Sequence, residues 1–245
     1  MRNIKLTLEY DGTNYAGWQI QPGGIETIQG VLSGTLMGLL NEGIKVAGAS
    51  RTDAGVHATG QVAAFKSTTT IPIVGMQRVL NNLLPPDIVI TGIEEVSLDF
   101  DPRRHAKSKR YLYRILNRSS PSSLNRFLAW HIHYPLDIDS MVRGAHRFIG
   151  CRDFASFMAR NSGATHAVRE ITSIDIRRVD DFVEIEVTGA AFLRHMVRII
   201  VGTLVSLGKG KLSPDDISPI IESRDRRKAA MTAPPHGLYL KEVAY

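Results

Sequence analysis

The run Ala49-Ser50-Arg51-Thr52-Asp53-Ala54-Gly55-Val56-His57-Ala58-Thr59-Gly60-Gln61 gathers hydroxyls, a carboxylate, a guanidinium, an imidazole and an amide between two apolar stretches. The small residues at 54, 55, 58 and 60 permit close approach of the backbone to a large ligand. A carboxylate two positions from an arginine is favoured in its ionised, nucleophilic form. A turn-rich connection whose aspartate accepts backbone hydrogen bonds has the same composition, so both readings of Asp53 stand on the residues alone. Farther along, Arg194 and Arg198 are spaced by one helical turn and would leave the same side of a helix, as a solvated face or as cations aimed at a carboxylate or phosphate.

Other arrangements fail on their chemistry. His131-Ile132-His133 sets two imidazoles on one side of a strand, but no acidic cluster nearby completes a metal site, and none is expected. Gly202 to Gly210 has five residues between its first two glycines and lacks the hydroxyl that a phosphate loop requires; its periodicity makes it the end of a helix.

The composition sets limits on partners. Thirty Lys and Arg against 24 Asp and Glu leave a formal charge of +6 and a pI near 9.5, which suits a polyanionic partner. The window Arg103 to Arg114 holds six of those cations around Tyr111 and Tyr113, a mixture that can neutralise phosphates while an aromatic ring stacks on an unpaired base. Cys151 is the only cysteine, which excludes an internal disulfide, a thiolate zinc cluster and an iron-sulfur cluster. No apolar run approaches the roughly 18 residues of a membrane span. The opening residues alternate as a strand does and lack a signal sequence's apolar stretch, so a cytoplasmic protein is expected.

Periodicity places the elements that must position these residues. A strand over Ile4 to Tyr10 leads through a Gly/Pro-rich loop to a helix carrying Ile28, Val31, Leu32, Leu36 and Leu39, with Gly43 past its end. Strands follow at Ile44 to Ala49 and Gln61 to Phe65, then a helix from Val74 to Leu84 stopped by Pro85-Pro86, and a strand from Ile88 to Ile93. The second half reads as a strand over Arg110 to Leu116 and a helix from Asp139 to Ile149 capped by Asp139 or Ser140. A hairpin of Ile171 to Arg178 and Phe182 to Val187 turns at Asp180-Asp181. A long helix from Ala190 to Leu207 follows, then a helix from Pro214 to Ile221 capped by Ser213, and a closing strand over Gly237 to Tyr245. These elements predict an α+β protein with a largely antiparallel sheet, in two lobes of residues 1–105 and 106–245.

Several ordered blocks identify a relationship. Leu8-Glu9-Tyr10-Asp11-Gly12-Thr13-Asn14-Tyr15-Ala16-Gly17-Trp18-Gln19 and Gly48 to His57 resemble the opening and the active-site motif of the tRNA pseudouridine synthase A family. Asn82 to Ile88, Lys109 to Tyr113, Phe192 to Arg198 and Gly237 to Leu240 fall in that family's order, and the resemblance runs from the first strand to the last. Phe100-Asp101-Pro102-Arg103 departs from the family's usual Phe-His-Ala-Arg.

The resemblance implies a pseudouridine synthase fold of two similar lobes, and isomerisation of uridine to pseudouridine in the anticodon arm of tRNA. It implies no cofactor, because product and substrate are isomers, and it implies base flipping of the target uridine and a homodimer. It makes Asp53 the catalytic nucleophile, acting on the ribose carbon-1′ or on the uracil ring. Tyr111 would stack on the extruded uracil and take or relay the carbon-5 proton, Arg198 would pair with the catalytic carboxylate, and Arg51 would hold the nucleotide out of its stem. Arg194, Arg103, Arg104, Lys107, Lys109 and Arg110 are candidate phosphate contacts.

Overall fold

The computed structural model of the chain describes residues 1–160 and 162–245. In chain order the first elements are β1 (Arg2–Tyr10), α1 (Ile28–Leu40), β2 (Ala47–Gly48), β3 (His57–Ser67), α2 (Ile73–Leu83) and β4 (Ile88–Val96). They are followed by β5 (Ser108–Asn117), β6 (Trp130–Ile132), α3 (Ile138–Ala145), β7 (Gly150–Asp153), β8 (Val168–Val179) and β9 (Phe182–Gly189). The chain closes with α4 (Met196–Gly208), α5 (Ile217–Glu222) and β10 (Leu238–Ala244). Contacts divide it into two compact units, one of Met1–Lys107 with Tyr239–Tyr245 and one of Ser108–Leu238.

In the first unit the strand order is β4-β1-β3-β10, and the short β2 pairs with β3. β1 is antiparallel to both of its neighbours, with Ile4 opposite Phe65 and Leu6 opposite Ala63 on one side. Its alternation buries Ile4, Leu6, Leu8 and Tyr10, the period-two pattern of a strand with one face in the core. α1 buries Ile28, Leu32 and Leu36 at four-residue spacing. Thr27 caps that helix, its hydroxyl oxygen accepting from the Gly30 amide at 3.2 Å. Asn41, at φ 51°, ends it two residues before the expected Gly43, since Asn is among the few residues that tolerate the left-handed region.

The last residues correct the expected lobes. Tyr239 and Leu240 pair in parallel with His57 and Ala58 of β3, and these backbone bonds assign the closing strand to the first unit, where the sequence reading had placed it in the second.

In the second unit β5, β9, β8 and β7 follow in antiparallel order, and β6 lies parallel to β5. The β8–β9 hairpin turns at Asp180-Asp181 as the alternation predicts, with Asp180 at φ 51°. β5 and β9 face buried residues across the pair: Tyr111 opposite Val187, Tyr113 opposite Ile185, Ile115 opposite Val183. α4 is buried along most of its length, including Ile199, Ile200, Val201, Leu204 and Val205.

Two helix starts differ from expectation. α4 begins at Met196, not Ala190, because His195 sits at φ 63° and interrupts right-handed helical backbone; Arg194 is therefore outside the helix, and the one-turn spacing with Arg198 does not hold. α3 is capped by Asp137, whose carboxylate accepts from the Ser140 amide at 3.0 Å and the Ser140 hydroxyl at 2.6 Å, in place of Asp139 or Ser140. It stops at Ala145, and His146–Phe148 tighten into a 3-10 turn. The Ser213-Pro214 start is as expected: the Asp216 carboxylate accepts from the Ser213 amide at 2.7 Å, and α5 follows directly.

Removing one buried cap tests this account of α1. Thr27→Ala should lower unfolding free energy by about 1 kcal/mol more than Thr27→Ser does in urea titrations, because both variants lose the buried methyl and only Ser keeps the capping oxygen.

Candidate active site

The loop 49–57 is built from backbone packed on backbone. The Ala49 amide donates to the Val62 carbonyl at 2.8 Å as the last bond of the strand pairing, after which the chain leaves β3. Thr52 points inward and is 8% exposed. Its carbonyl accepts from the Trp18 amide at 3.0 Å and its hydroxyl shares a 2.7 Å hydrogen bond with Tyr10 Oη. The Val56 amide closes a turn onto the Asp53 carbonyl at 3.1 Å, and the Gly55 amide donates to the Tyr15 carbonyl at 3.3 Å. With Thr52 turned in, its neighbours turn out: Arg51 is exposed and Asp53 half-buried.

Residues 11–18 can lie against this loop only where side chains are missing. A Cβ on Gly12 would fall 2.0 Å from the Val56 carbonyl oxygen, and one on Gly17 would fall 2.5 Å from that of Thr52. Gly17 also has φ +93°, a conformation that other residues rarely adopt.

His57 is a structural member of this loop. It is 1% exposed, its Nδ1 accepts from the Gly12 amide at 3.1 Å, and its ring stacks on Tyr239 with centroids 4.8 Å apart. The Asp11 carboxylate lies 3.1 Å from the same Nδ1. Burial works against the charge on Asp11, yet the hydroxyl and amide of Thr13 hold its carboxyl below the usual range. Tyr15 donates to the Asp87 carboxylate at 2.6 Å, and burial together with that partner pushes its phenol up, so it stays a donor.

In the second unit, Tyr111 on β5 is 7% exposed, and Phe192 meets its ring edge-on with centroids 5.1 Å apart at 83°. Such a pair adds about 0.5–1.5 kcal/mol beyond area burial and fixes the ring plane. Tyr113, two residues on, donates to the Pro234 carbonyl at 2.8 Å; burial pushes its phenol up against the opposing pull of Arg198. Arg198, in the first turn of α4, is tied twice to Ala233: its Nε donates to that carbonyl at 2.8 Å and its own carbonyl accepts from that amide at 3.0 Å. A guanidinium held at Nε keeps its terminal nitrogens in a defined plane.

The remaining cations are spread out. Arg194 is exposed in the segment before α4. Arg103, Arg104 and Lys107 are exposed in the first unit, whereas Lys109 and Arg110 lie on β5 in the second. The departure Asp101-Pro102 has a local explanation: the Asp101 carboxylate accepts from the Arg103 and Arg104 amides, each at 2.8 Å. Burial opposes the charge, and those two amides hold the carboxyl below its usual range. Asp101 thus closes the turn that presents the two arginines.

Sequence reasoning gave no role to Gln61, Tyr10 or Phe192. Tyr10 and Phe192 sit in the family-like blocks, but strand alternation makes Tyr10 an ordinary core residue, and Phe192 lies in a stretch expected to be helical, off its apolar face. Among the described residues no group of His, Cys, Asp or Glu could hold a metal ion, and no helix is long and apolar enough to cross a membrane.

The site thus combines mixed, mostly antiparallel sheets and packed helices with a glycine-braced loop that presents an aspartate beside an arginine. The family model for tRNA pseudouridine synthase matches residues 7–103 and 145–245. A protein of Acetivibrio thermocellus named tRNA pseudouridine synthase A is 49% identical over 245 residues, covering all of both chains. Proteins of the same name from Myxococcus xanthus and Geotalea uraniireducens are each 47% identical across the whole of this chain, covering 92% and 100% of theirs. A solved structure described as an H/ACA RNP bound to a substrate RNA containing 2'-deoxyuridine is 14% identical, with a TM-score of 0.40, over 83% of this chain and 44% of that one, a likeness too distant to bear on the site. The chain belongs to the tRNA pseudouridine synthase family. It is an isomerase that turns uridine into pseudouridine in tRNA. Arg51, Asp53, Arg103, Arg194 and Arg198 fall within the matched stretches, and Arg104, Lys107, Lys109, Arg110 and Tyr111 fall between them.

The close approach at residue 17 is open to test. Gly17→Ala should destabilise the protein by roughly 1–3 kcal/mol through the unfavourable φ, and should lower activity in the fraction that remains folded, because the new methyl displaces the peptide groups of residues 52–54. Denaturant melts and initial rates on the same preparation measure both.

Proposed function

We propose that the chain modifies uridines of the tRNA anticodon arm, with Asp53 as nucleophile. The observation that carries this reading is the loop conformation: burying Thr52 presents Arg51 and Asp53 outward from a backbone fixed on several sides.

The reaction needs a nucleophile and no redox partner. The N1–C1′ bond of the uridine breaks, the uracil turns, C5 bonds to C1′, C5 gives up its proton and N1 acquires one. Asp53 adds either to C1′, where the forming C5–C1′ bond displaces it, or to the uracil ring, from which it is eliminated after that bond has formed. Atoms and electrons balance within the substrate, so the proposed mechanism uses no cofactor.

A base inside a stem must leave the stack first, at a cost of a few kcal/mol that RNA binding has to supply. The formal charge of +6 suits that task. Arg51, exposed beside Asp53, is proposed to hold the extruded nucleotide. Tyr111 and Arg198 keep, as proposals, the roles that the family resemblance implies, a stacking surface that handles the C5 proton and a cation for the nucleophile. Their fixed ring plane and fixed guanidinium support these roles. Arg194, Arg103, Arg104, Lys107, Lys109 and Arg110 are proposed phosphate contacts. A homodimer in the cytoplasm completes the proposal.

Tritium on uracil C5 is released to water only when C5 bonds to the ribose, which gives a direct assay. Asp53→Asn should lose more than about 10³-fold of the release rate while tRNA affinity stays near the parent; full turnover by that variant contradicts the reading. Tyr111→Phe keeps the ring and loses the hydroxyl, and should slow release at least about tenfold with binding intact.

A further inference from the structure

Gln61 is fully buried on β3, and its side chain does what a strand's backbone would do. β2 pairs with β3 at Ala47↔Ala64 and Gly48↔Ala63, and the Ala49 amide reaches the Val62 carbonyl, so the next register position sets Ser50 against Gln61. Here the chain leaves β3 and the side-chain amide of Gln61 takes over. Its Nε2 donates to the Ser50 carbonyl at 2.8 Å, and its Oε1 accepts from the Ser50 amide at 3.3 Å. The remaining capacity of the amide is also used, with Oε1 accepting from the Val62 amide at 3.1 Å and Nε2 donating to Tyr10 Oη at 3.5 Å. Tyr10 in turn shares its 2.7 Å hydrogen bond with Thr52. Ser50 and Thr52 are thereby gripped from one buried amide, on either side of Arg51 and immediately before Asp53.

We infer that Gln61 is a positioning residue for the reaction: its amide extends the strand pairing by one residue and, through Ser50 and Tyr10, sets the backbone from which Asp53 and Arg51 reach the substrate. The inference rests on the reading of Asp53 as nucleophile. Ordinary core packing at this position requires only volume. A positioning role requires both a donor and an acceptor with the geometry of an amide. Displacing a reacting group by about 1 Å can cost on the order of 10²-fold in rate.

The test compares Gln61→Met, which keeps the volume and loses the amide, with Gln61→Glu, whose protonated carboxyl again donates to the Ser50 carbonyl and accepts from its amide. Gln61→Met should fold, bind tRNA within about twofold of the parent, and lose about 10²-fold in kcat. Relative to the parent at each pH, Gln61→Glu should be slow at neutral pH and recover as the pH falls and the buried carboxyl takes up its proton. Parental kcat in Gln61→Met, a loss of tRNA affinity matching the loss of rate, or a Gln61→Glu deficit independent of pH would overturn the inference. Loss of the fold in both variants would also overturn it, by making Gln61 a stability residue; if only Gln61→Met unfolds, the pH profile decides. Asp53→Asn, assayed alongside, separates the two levels: full activity there removes the nucleophile reading, whereas an inactive Asp53→Asn beside a fully active Gln61→Met removes the positioning role alone.

Discussion

The first unit depends on peptide groups packed against peptide groups. Residues 11–18 and 52–57 are two irregular segments in a partly buried place, where an unpaired amide or carbonyl costs about as much as a lost hydrogen bond. Each supplies what the other lacks: Trp18 donates to Thr52, Gly55 to Tyr15, and Gly12 to His57. That exchange requires the segments to touch, which only Gly12 and Gly17 allow. β1 delivers Asp11, β3 begins at His57, and β4 begins just after Asp87, whose carbonyl accepts from the Asp11 amide at 3.0 Å. The sheet therefore sets the ends of both segments, and the glycines decide how closely they meet.

The second unit holds its polar groups in the same economical way. Arg198 and Ala233 exchange two hydrogen bonds, Tyr113 anchors Pro234, and Phe192 fixes the plane of Tyr111. Groups prearranged in this way need little rearrangement at the moment of reaction, which is where fixed dipoles and charges are most effective. The exposed arginines contrast with them: long, solvated side chains suit phosphates, whose positions vary along an RNA.

Much of this was legible in the sequence, for identifiable reasons. β1, α1, α2 and the β8–β9 hairpin follow from periodicity joined to strong punctuation at Pro85-Pro86 and Asp180-Asp181. The start of α4 was not, because an apolar run through Phe192 and Leu193 looks helical until His195 adopts a left-handed backbone. β6 and β7 are too short to carry a pattern, and the closing strand's unit depends on a parallel pairing that no local signal encodes. At the site, Asp53 stands out for its surroundings, yet on the residues alone a turn explains it equally well, and only the family-like blocks favour a nucleophile. Gln61 lay in the same conspicuous run with no visible task. Its partner Ser50 is defined only by the register in which β2 meets β3.

A glycine-braced Asp53 loop that acts on the anticodon arm leaves its mark in the cell's tRNA. Mapping pseudouridine along tRNA from cells that carry the protein and cells that lack it tests this most directly. Loss of anticodon-arm pseudouridine is expected, with the other sites retained and with restoration by the parent chain but not by its Asp53→Asn variant. An unchanged anticodon arm in the absence of the protein, or full restoration by Asp53→Asn, would contradict it.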